Sequence, residues 1–260
     1  MKKPAWVIEK ERSRRAAAAE TVWLFGLHAV RDALMNPARE KLRLVVTKNA
    51  ADRLGAALEG AGIDAEIVDP RKFDSHVPLG ADSVHQGAAL EVKPLAWGGL
   101  DEVCAARQGR ALVVALDRVT DPHNVGAILR SAEVFGARAV IAPARHAAPE
   151  TGALAKTASG ALERQPYLRI GNLAEALERL RDMGYVLLGL DGDADRTLAE
   201  ALAETGQRPV ALVLGAEGPG LREKTRETCD HLVKIPFAST FGSLNVSNAA
   251  AVALYAAATR

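Results

Sequence analysis

The sequence predicts an α/β protein whose carboxyl-terminal part is a parallel sheet with helices on both faces. The run Ala111–Leu116 is continuously apolar, as expected for a strand buried on both faces. From there to the carboxyl terminus, strand and helix patterns alternate, which is typical of a doubly wound sheet. The 260 residues, 48% of them hydrophobic, also suffice for a second, smaller core. Ligands of such sheets bind beyond the carboxyl ends of the strands, so we expect a site there.

The chain is expected to consist of four segments: a basic flexible tail over 1–20, a small α/β domain over 21–92, a linker over 93–109 and the parallel α/β domain over 110–260. The tail carries six basic and three acidic residues. It is either a phosphate-binding segment or a solvated extension. Pro and Gly residues interrupt the periodicity after residue 92, which predicts the linker.

The apolar periodicity predicts the individual elements. In the small domain these are helices over Gly26–Met35 and Ala50–Gly60 and strands over Leu42–Thr47, Ala65–Val68 and Ala88–Val92. In the larger domain strands are predicted over Ala111–Leu116, Ala139–Ala142, Tyr167–Ile170, Tyr185–Leu190, Val210–Leu214 and Leu232–Ile235. Helices are predicted over Leu100–Arg107, Val125–Phe135, Gly152–Leu162 and Leu173–Met183, near Arg222, and behind Asn245, with one more short helix before Val210.

Charge and cysteine content exclude several classes of protein. The formal net charge is +1, so any basic surface must be local. Cys104 and Cys229 form no CxxC pair, which argues against a disulfide framework or structural zinc and for a reducing compartment. The six histidines are dispersed, so we expect neither a metal nor a covalent mechanism. Because no membrane span or signal peptide is predicted, we expect a cytoplasmic protein without a membrane partner.

Two loops that follow predicted strands have unusual compositions. The first contains Asn124, a natural helix N-cap, and Arg130, whose guanidinium can hold a phosphate or carboxylate. The second, Leu214–Leu221, is rich in glycine and permits a close backbone approach to a flat or anionic ligand. Glu217 inside it is hard to explain without a ligand or a helix N-terminus to face. The structural alternative is that Asn124 only caps, Arg130 is solvated and the glycines only form a tight turn.

A third loop precedes the closing helix and contains Ser243, Asn245, Ser247 and Asn248. Helix capping accounts for one or two of these side chains but not for all four. The helix behind them consists mostly of Ala, Val and Leu on every face. We therefore expect it to be buried and to fix the polar loop in one place.

A further loop, Ser83–Gly87, lies in the small domain. Gly87 permits a close backbone approach, and His85 and Gln86 are candidates for hydrogen bonds to RNA. The alternative is that His85 only caps local backbone groups.

In this order, the three loops of the larger domain resemble the three motifs of the SpoU/TrmH family of RNA ribose 2′-O-methyltransferases. The resemblance rests on Asp121–Gly126 with Arg130, on Leu214–Gly220, and on Ile235–Pro236 with Ser243–Ser247. Phe25–Val30 and Val84–Gly87 are similar to parts of the small RNA-binding domain, related to a ribosomal-protein fold, of family members that methylate a guanosine of 23S rRNA. The similarity covers about residues 22–260 and leaves out only the basic tail.

The resemblance implies a carboxyl-terminal segment threaded into a deep trefoil knot that forms the pocket for S-adenosyl-L-methionine. It also implies a homodimer built on the larger domain, with each active site completed across the interface. The implied cofactor-binding residues are Gly215, Ile235 and Leu244, with Leu214, Glu217 and Gly218 beside them. The implied active-site residues are Asn124, Arg130, Glu217, Ser243 and Asn245, and RNA contacts are expected from His85, Gln86 and Arg130.

A role for Arg130 follows from its chemistry. A guanidinium is a poor proton acceptor at neutral pH. We therefore expect Arg130 to hold the phosphate next to the target ribose and to stabilise the developing alkoxide, while Asn124, Ser243 and Asn245 orient the groups around it.

Three other functions stay open at the level of sequence. A tRNA ribose methyltransferase is disfavoured by the small domain, and a non-catalytic RNA-binding or ribosome-assembly factor by the intact set of Asn124, Arg130, Glu217 and Asn245. A nucleotide-dependent oxidoreductase requires GxGxxG after the first strand of the sheet, where Asp117–Pro122 stands instead.

Overall fold

The computed structural model describes residues 21–80, 83–105, 110–238 and 243–260, so the predicted basic tail lies outside the described residues. The chain divides into two compact units, with the division between Leu95 and Ala96. This division falls within the predicted linker. Trp97, Leu100 and Val103 are partly buried, and their apolar side chains pack against the core of the second unit.

The first unit is a mixed four-stranded sheet with short helices. Its strands are β1 (Val22–Phe25), β2 (Lys41–Thr47), β3 (Ala65–Val68) and β4 (Ala88–Val92), and its helices are α1 (Leu27–Met35), α2 (Lys48–Leu54), α3 (Ala56–Glu59) and α4 (Phe73–His76). The strand order is β1-β4-β2-β3, in which β2 and β3 are parallel and the other neighbours are antiparallel. The predicted small α/β domain is confirmed.

Two details of this unit differ from the prediction. The helix predicted over Ala50–Gly60 is broken into α2 and α3, because Gly55 has a positive φ of 47° that no helix contains. The strand β1 and the helix α4 were not predicted, since four residues carry too little periodicity to be assigned.

The second unit is a six-stranded parallel sheet with helices between the strands. Its strands are β5 (Leu112–Asp117), β6 (Ala139–Pro143), β7 (Tyr167–Ile170), β8 (Val186–Leu190), β9 (Val210–Gly215) and β10 (His231–Val233). Its helices are α5 (Leu100–Val103), α6 (Pro122–Val134), α7 (Gly152–Ala158), α8 (Leu173–Asp182), α9 (Leu198–Thr205), α10 (Glu223–Thr228) and α11 (Val246–Thr259), with a 3₁₀ turn over Ala161–Glu163. All neighbouring strands are parallel, which confirms the predicted fold class.

Two predicted helices of this unit are too long. The helix predicted over Gly152–Leu162 ends at Ala158, because Ser159 and Gly160 take left-handed conformations with φ of 51° and 89°. The helix predicted over Leu100–Arg107 ends at Val103, and residues 106–109 lie outside the described residues.

The strand order β10-β8-β9-β5-β6-β7 determines where the site forms. Strand β9 lies next to β5, and the last residues of the two strands, Gly215 and Asp117, are register partners. The loop that follows β5 and the glycine-rich loop that follows β9 therefore leave the sheet side by side. Almost a hundred residues separate them in the sequence, but the parallel pairing brings them together.

The closing helix α11 is buried on one face only, so the prediction that it is buried all round is wrong for the single chain. Its buried residues Ala250, Ala253, Leu254 and Ala257 recur at the spacing of one helix face. Val252 and Tyr255 on the other side are 44% and 59% exposed. The helix nevertheless begins directly behind Asn245, as predicted, and Asn245 is its N-cap.

The predicted knot stays a prediction, because residues 239–242 of the segment that leads into α11 lie outside the described residues. Within the described ranges, every helix is too short or too polar to cross a lipid bilayer.

Candidate active site

A cavity of about 540 Å³ opens at the carboxyl ends of β8, β9 and β10. This volume lies in the range of small-molecule sites. Its walls come from four segments of the chain: Leu190–Gly192, the glycine-rich loop, the segment that follows β10, and the first turn of α11. Apolar side chains and glycine backbone form most of the wall. The cavity therefore fits a flat, partly apolar ligand whose polar atoms meet backbone groups.

All six residues that the sequence assigns to the cofactor line this one cavity: Leu214, Gly215, Glu217, Gly218, Ile235 and Leu244. Ser243 and Asn245 line it as well. The six residues assigned to the cofactor come from segments on either side of α10 and β10. The order of the strands in the sheet, and not proximity in the sequence, therefore brings them to one cavity.

The glycine-rich loop folds back tightly on itself at Gly215. A methyl group on this residue would lie 2.1 Å from the carbonyl carbon of Gly220 and 2.4 Å from its oxygen. Both atoms belong to the backbone, so no side-chain rotation can relieve the clash. Gly215 is thus required for the turn that forms one wall of the cavity.

Three of the predicted active-site residues form one hydrogen-bonded cluster at the mouth of the cavity. The side-chain amides of Asn124 and Asn245 both donate to Oε1 of Glu217, at 3.2 and 2.5 Å. The amide of Asn245 also donates to Oδ1 of Asn124, at 2.9 Å. The carboxylate of Glu217 therefore faces two amides, and this explains why it stands in a loop of glycines.

Asn124 is not the N-cap of α6, and that prediction was wrong. The cap is Asp121, whose carboxylate accepts the backbone N–H of His123 at 2.9 Å, and Pro122 occupies the first helical position. An Asp-Pro pair is a strong helix start and is readable from the sequence. Asn124 instead lies in the first turn, 8% exposed, so its amide is free to meet Glu217.

Among the described residues, two predicted active-site residues have no hydrogen bond to this cluster: Ser243, which lines the cavity, and Arg130. Its side chain is exposed on α6. Six residues along a helix correspond to a rise of about 9 Å and a rotation of about 240°, so Arg130 and Asn124 point to different sides of α6.

Sequence reasoning missed two aspartates that shape the site. Asp191 follows β8 and lines the cavity, and Asp117 is the fully buried last residue of β5. Asp191 was detectable by the rule that identified the other loops, because an Asp-Gly pair follows a predicted strand. Asp117 was not detectable, since its partner lies 105 residues further along the chain.

His85 and Gln86 in the first unit both have intramolecular partners. The ring of His85 stacks on Phe73 with centroids 4.3 Å apart, and its Nδ1 accepts the backbone N–H of Gly87. The side-chain oxygen of Gln86 accepts the backbone N–H of Leu27 at the start of α1. Both residues therefore order the loop, and their contact with RNA stays a prediction.

The two cysteines are not suited to nucleophilic catalysis. Burial raises the pKa of the Cys104 and Cys229 thiols to about 12, so little thiolate exists near neutral pH. Among the residues that the structure describes, no cluster of His, Cys, Asp or Glu could hold a metal ion.

The fold and the site together define a doubly wound α/β domain that binds a small molecule at the carboxyl edge of its sheet. The chain belongs to the SpoU rRNA Methylase family, whose profile matches residues 111–255. Residues 23–97 match the profile of the RNA 2′-O ribose methyltransferase substrate-binding domain.

Similar proteins cover almost the whole chain. The chain is 39% identical over 239 residues to the 23S rRNA (guanosine-2′-O-)-methyltransferase RlmB of Ralstonia nicotianae, covering 90% of this chain and 94% of that protein. It is 40% identical to the protein of the same name from Bordetella pertussis, covering 91% and 96%. Among solved structures, the SpoU methyltransferase AviRb from Streptomyces viridochromogenes in complex with AdoMet is 27% identical with a TM-score of 0.75, covering 95% of this chain and 92% of that one.

The tight turn at Gly215 gives a first prediction. Gly215→Ala should weaken binding of S-adenosyl-L-methionine at least tenfold, because the added methyl group forces the cavity wall to move. The matched control is Gly171→Ala, since a methyl group at that position meets no atom within 4 Å. Isothermal titration calorimetry on both variants measures the affinities, and an unchanged affinity for Gly215→Ala would contradict the proposed packing.

Proposed function

We propose that this protein transfers a methyl group from S-adenosyl-L-methionine to the ribose 2′-oxygen of a guanosine in 23S rRNA. The observation that carries the proposal is the Asn124–Glu217–Asn245 cluster at the mouth of the cavity. The relatives named 23S rRNA (guanosine-2′-O-)-methyltransferase support the substrate, because their similarity extends over both units of the chain. The match of residues 23–97 to a substrate-binding domain of RNA 2′-O ribose methyltransferases supports an RNA substrate.

The cavity fits the cofactor in size and chemistry. Leu214, Ile235 and Leu244 supply apolar contacts for an adenine ring, and the glycine backbone at 215, 218 and 220 allows close approach. When bound, the cofactor supplies an electrophilic methyl group on a sulfonium. The protein's task is then to align the attacking oxygen and to exclude water.

The cluster residues are suited to the alignment. Glu217 holds the amides of Asn124 and Asn245 on one carboxylate oxygen, so each amide has a fixed direction. Asn245 is held a second time, because its own oxygen accepts the backbone N–H of Ser247 at 2.9 Å. Polar groups fixed in this way can orient a ribose hydroxyl without reorganising during the reaction. Ser243, on the cavity wall, completes the polar side of the mouth.

The position of Arg130 supports a dimeric enzyme. Arg130 and Val134 are four residues apart on α6 and therefore share a helix face. Val134 is 71% exposed, and the neighbouring Phe135 packs edge-to-face against Tyr255 of α11, with ring centroids 6.0 Å apart. Exposed Val134, Val252 and Tyr255 form an apolar surface that a second copy of the chain would cover. Arg130 then reaches the cluster of the partner subunit, where it holds the phosphate beside the target ribose.

Exposed cations on the neighbouring loops supply a path for RNA. Arg118 follows β5 and Arg145 follows β6, and both side chains are exposed. The two loops touch, since the backbone N–H of Ala148 donates to the carbonyl of Val119 at 3.3 Å. Arg118 and His146 have positive φ angles of 63° and 62°, a strained conformation for non-glycine residues that concentrates at functional sites. The phosphates on one side of the target nucleotide are expected to lie on these loops.

The activity itself is tested with labelled S-adenosyl-L-methionine and separate pools of unmodified 23S rRNA and tRNA, followed by mapping of the methylated ribose. We expect label on one guanosine of the rRNA. Arg130→Ala should lower the rate at least a hundredfold while the cofactor affinity stays within a few-fold, because a lost transition-state contact leaves the cavity intact. Label only on tRNA, or none on any RNA, would contradict the proposal.

The assignment of Arg130 to the partner subunit predicts complementation. Asn124→Ala and Arg130→Ala should each be inactive as homodimers. When they are co-expressed with two different affinity tags and purified as mixed dimers, one of the two sites is intact, so about half of the wild-type activity should return. If Arg130 acts within its own subunit, every site carries one lesion and the mixed dimer stays inactive.

The RNA path predicts a change in salt dependence. Arg118→Ala and Arg145→Ala should each lower the slope of log affinity against log salt by about 0.7, the value of one phosphate contact in single-stranded nucleic acid. Arg179→Ala is the matched control, because that exposed arginine is paired with Asp101 instead. Filter binding of an rRNA fragment at several salt concentrations gives the slopes, and equal slopes for all proteins would exclude this path.

A further inference from the structure

Two arginines, one turn apart, connect α10 to the carboxyl ends of two different strands. Arg222 is the N-cap residue of α10 and Arg226 lies four residues later, so both side chains leave the same face of the helix. Each pairs with an aspartate at the carboxyl end of a strand: Arg222 with Asp117 of β5, and Arg226 with Asp191 after β8. We refer to these four residues as the arginine clamp.

The Arg222 half of the clamp anchors the end of the glycine-rich loop. The side-chain Nε of Arg222 donates to Oδ1 of Asp117 at 2.7 Å, and its backbone N–H donates to Oδ2 at 2.9 Å. Asp117 is fully buried, and a buried carboxylate without such donors would be strongly destabilising. The loop is therefore fixed to β5, the strand that leads to Asn124.

The Arg226 half anchors the opposite wall of the cavity. Asp191 lines the cavity, its side chain is 10% exposed, and its Oδ2 accepts a hydrogen bond from Arg226. Its Oδ1 accepts the backbone N–H of Asp193 at 3.0 Å. The backbone N–H of Asp191 donates to the carbonyl of Val233 at the end of β10. One aspartate thus connects α10, the loop after β8 and the end of β10.

We propose that the arginine clamp holds the walls of the cofactor cavity in their binding conformation, with Arg222, Arg226, Asp117 and Asp191 as positioning residues for S-adenosyl-L-methionine. This inference rests on the proposed function. Helix α10 directly follows the glycine-rich loop, so its orientation determines where that loop lies. The clamp fixes that orientation from both sides of β9, the strand between β5 and β8. The binding energy of the cofactor is then not spent on ordering the loops.

We call Arg226 and Asp191 the outer pair of the clamp. This pair is the one to test, because Asp191 lies on the cavity wall while Arg226 does not line the cavity. Arg226→Met keeps the length and apolar stem of the side chain but removes the fork that holds the carboxylate. Asp191→Asn keeps an acceptor for the Asp193 N–H but removes the charge. Arg226→Lys keeps the charge without the fork and is expected to have an intermediate effect.

A matched control exists near the start of β8, the strand that ends just before Asp191. Arg181 donates to Oδ1 of Asp230 at 2.9 Å, and Oδ2 of Asp230 accepts the backbone N–H of Leu187. Arg181 resembles Arg226 in exposure and also donates to the carbonyl of Thr228 at the last residue of α10, so this pair anchors the opposite end of that helix. The pair lies about 10 Å further along β8 from the cavity, at 3.3 Å per residue. Arg181→Met should lower the melting temperature without changing cofactor affinity.

The experiment measures binding of S-adenosyl-L-methionine to the full chain by calorimetry, together with steady-state methyl transfer to 23S rRNA. Arg226→Met and Asp191→Asn should each raise the Kd and the KM of the cofactor at least tenfold, with kcat within threefold of wild type at saturating cofactor. The double variant should be no weaker than the worse single variant, since the two residues act as one unit.

The outcomes separate the clamp from the proposed function. Cofactor affinity within twofold of wild type for both single variants, or the same loss of affinity in Arg181→Met, would overturn the clamp and leave the proposed function standing. A wild-type protein that binds no S-adenosyl-L-methionine would overturn both.

Discussion

The hydrogen bonds of Glu217 with Asn124 and Asn245 are the constraint on which the site depends. Three loops contribute one residue each, and they are held together by a single carboxylate oxygen. The strand order makes this possible, because β9 lies directly beside β5 and the closing helix starts at the same edge. The glycines on either side of Glu217 allow the loop to turn sharply enough for its carboxylate to face the two amides.

A second layer of contacts supports this cluster from beneath. Asp117 is buried at the end of β5 and has donors from both the side chain and the backbone of Arg222. Such a carboxylate is stable only when its partners are in place, so the glycine-rich loop and the loop before Asn124 have to fold together. The cavity and the cluster are thus built by the same contacts: the apolar wall fits a cofactor, and the amides at its mouth are proposed to face the acceptor.

Much of the fold was predictable because buried parallel strands are short apolar runs, such as the one ending at Leu116, and because helices between them keep their period. The location of the site was predictable for the same reason, since polar residues after such strands meet at one edge. Two predictions from the sequence are wrong. The residue type of Asn124 predicts a cap, but Asp121-Pro122 is the stronger helix start, and the composition of α11 predicts full burial although one face is exposed. The pairing of Asp117 with Arg222 depends on strand order, which no local pattern encodes.

The most direct test of the account is the single-turnover rate of methyl transfer with Glu217→Ala and Glu217→Gln at saturating cofactor and 23S rRNA. Both amides bond to one oxygen of Glu217, so glutamine can keep both contacts while alanine removes them. We expect Glu217→Gln to retain at least a tenth of the wild-type rate, and Glu217→Ala to lose at least a hundredfold because both asparagines lose their fixed direction. A rate for Glu217→Ala within twofold of wild type would contradict this account.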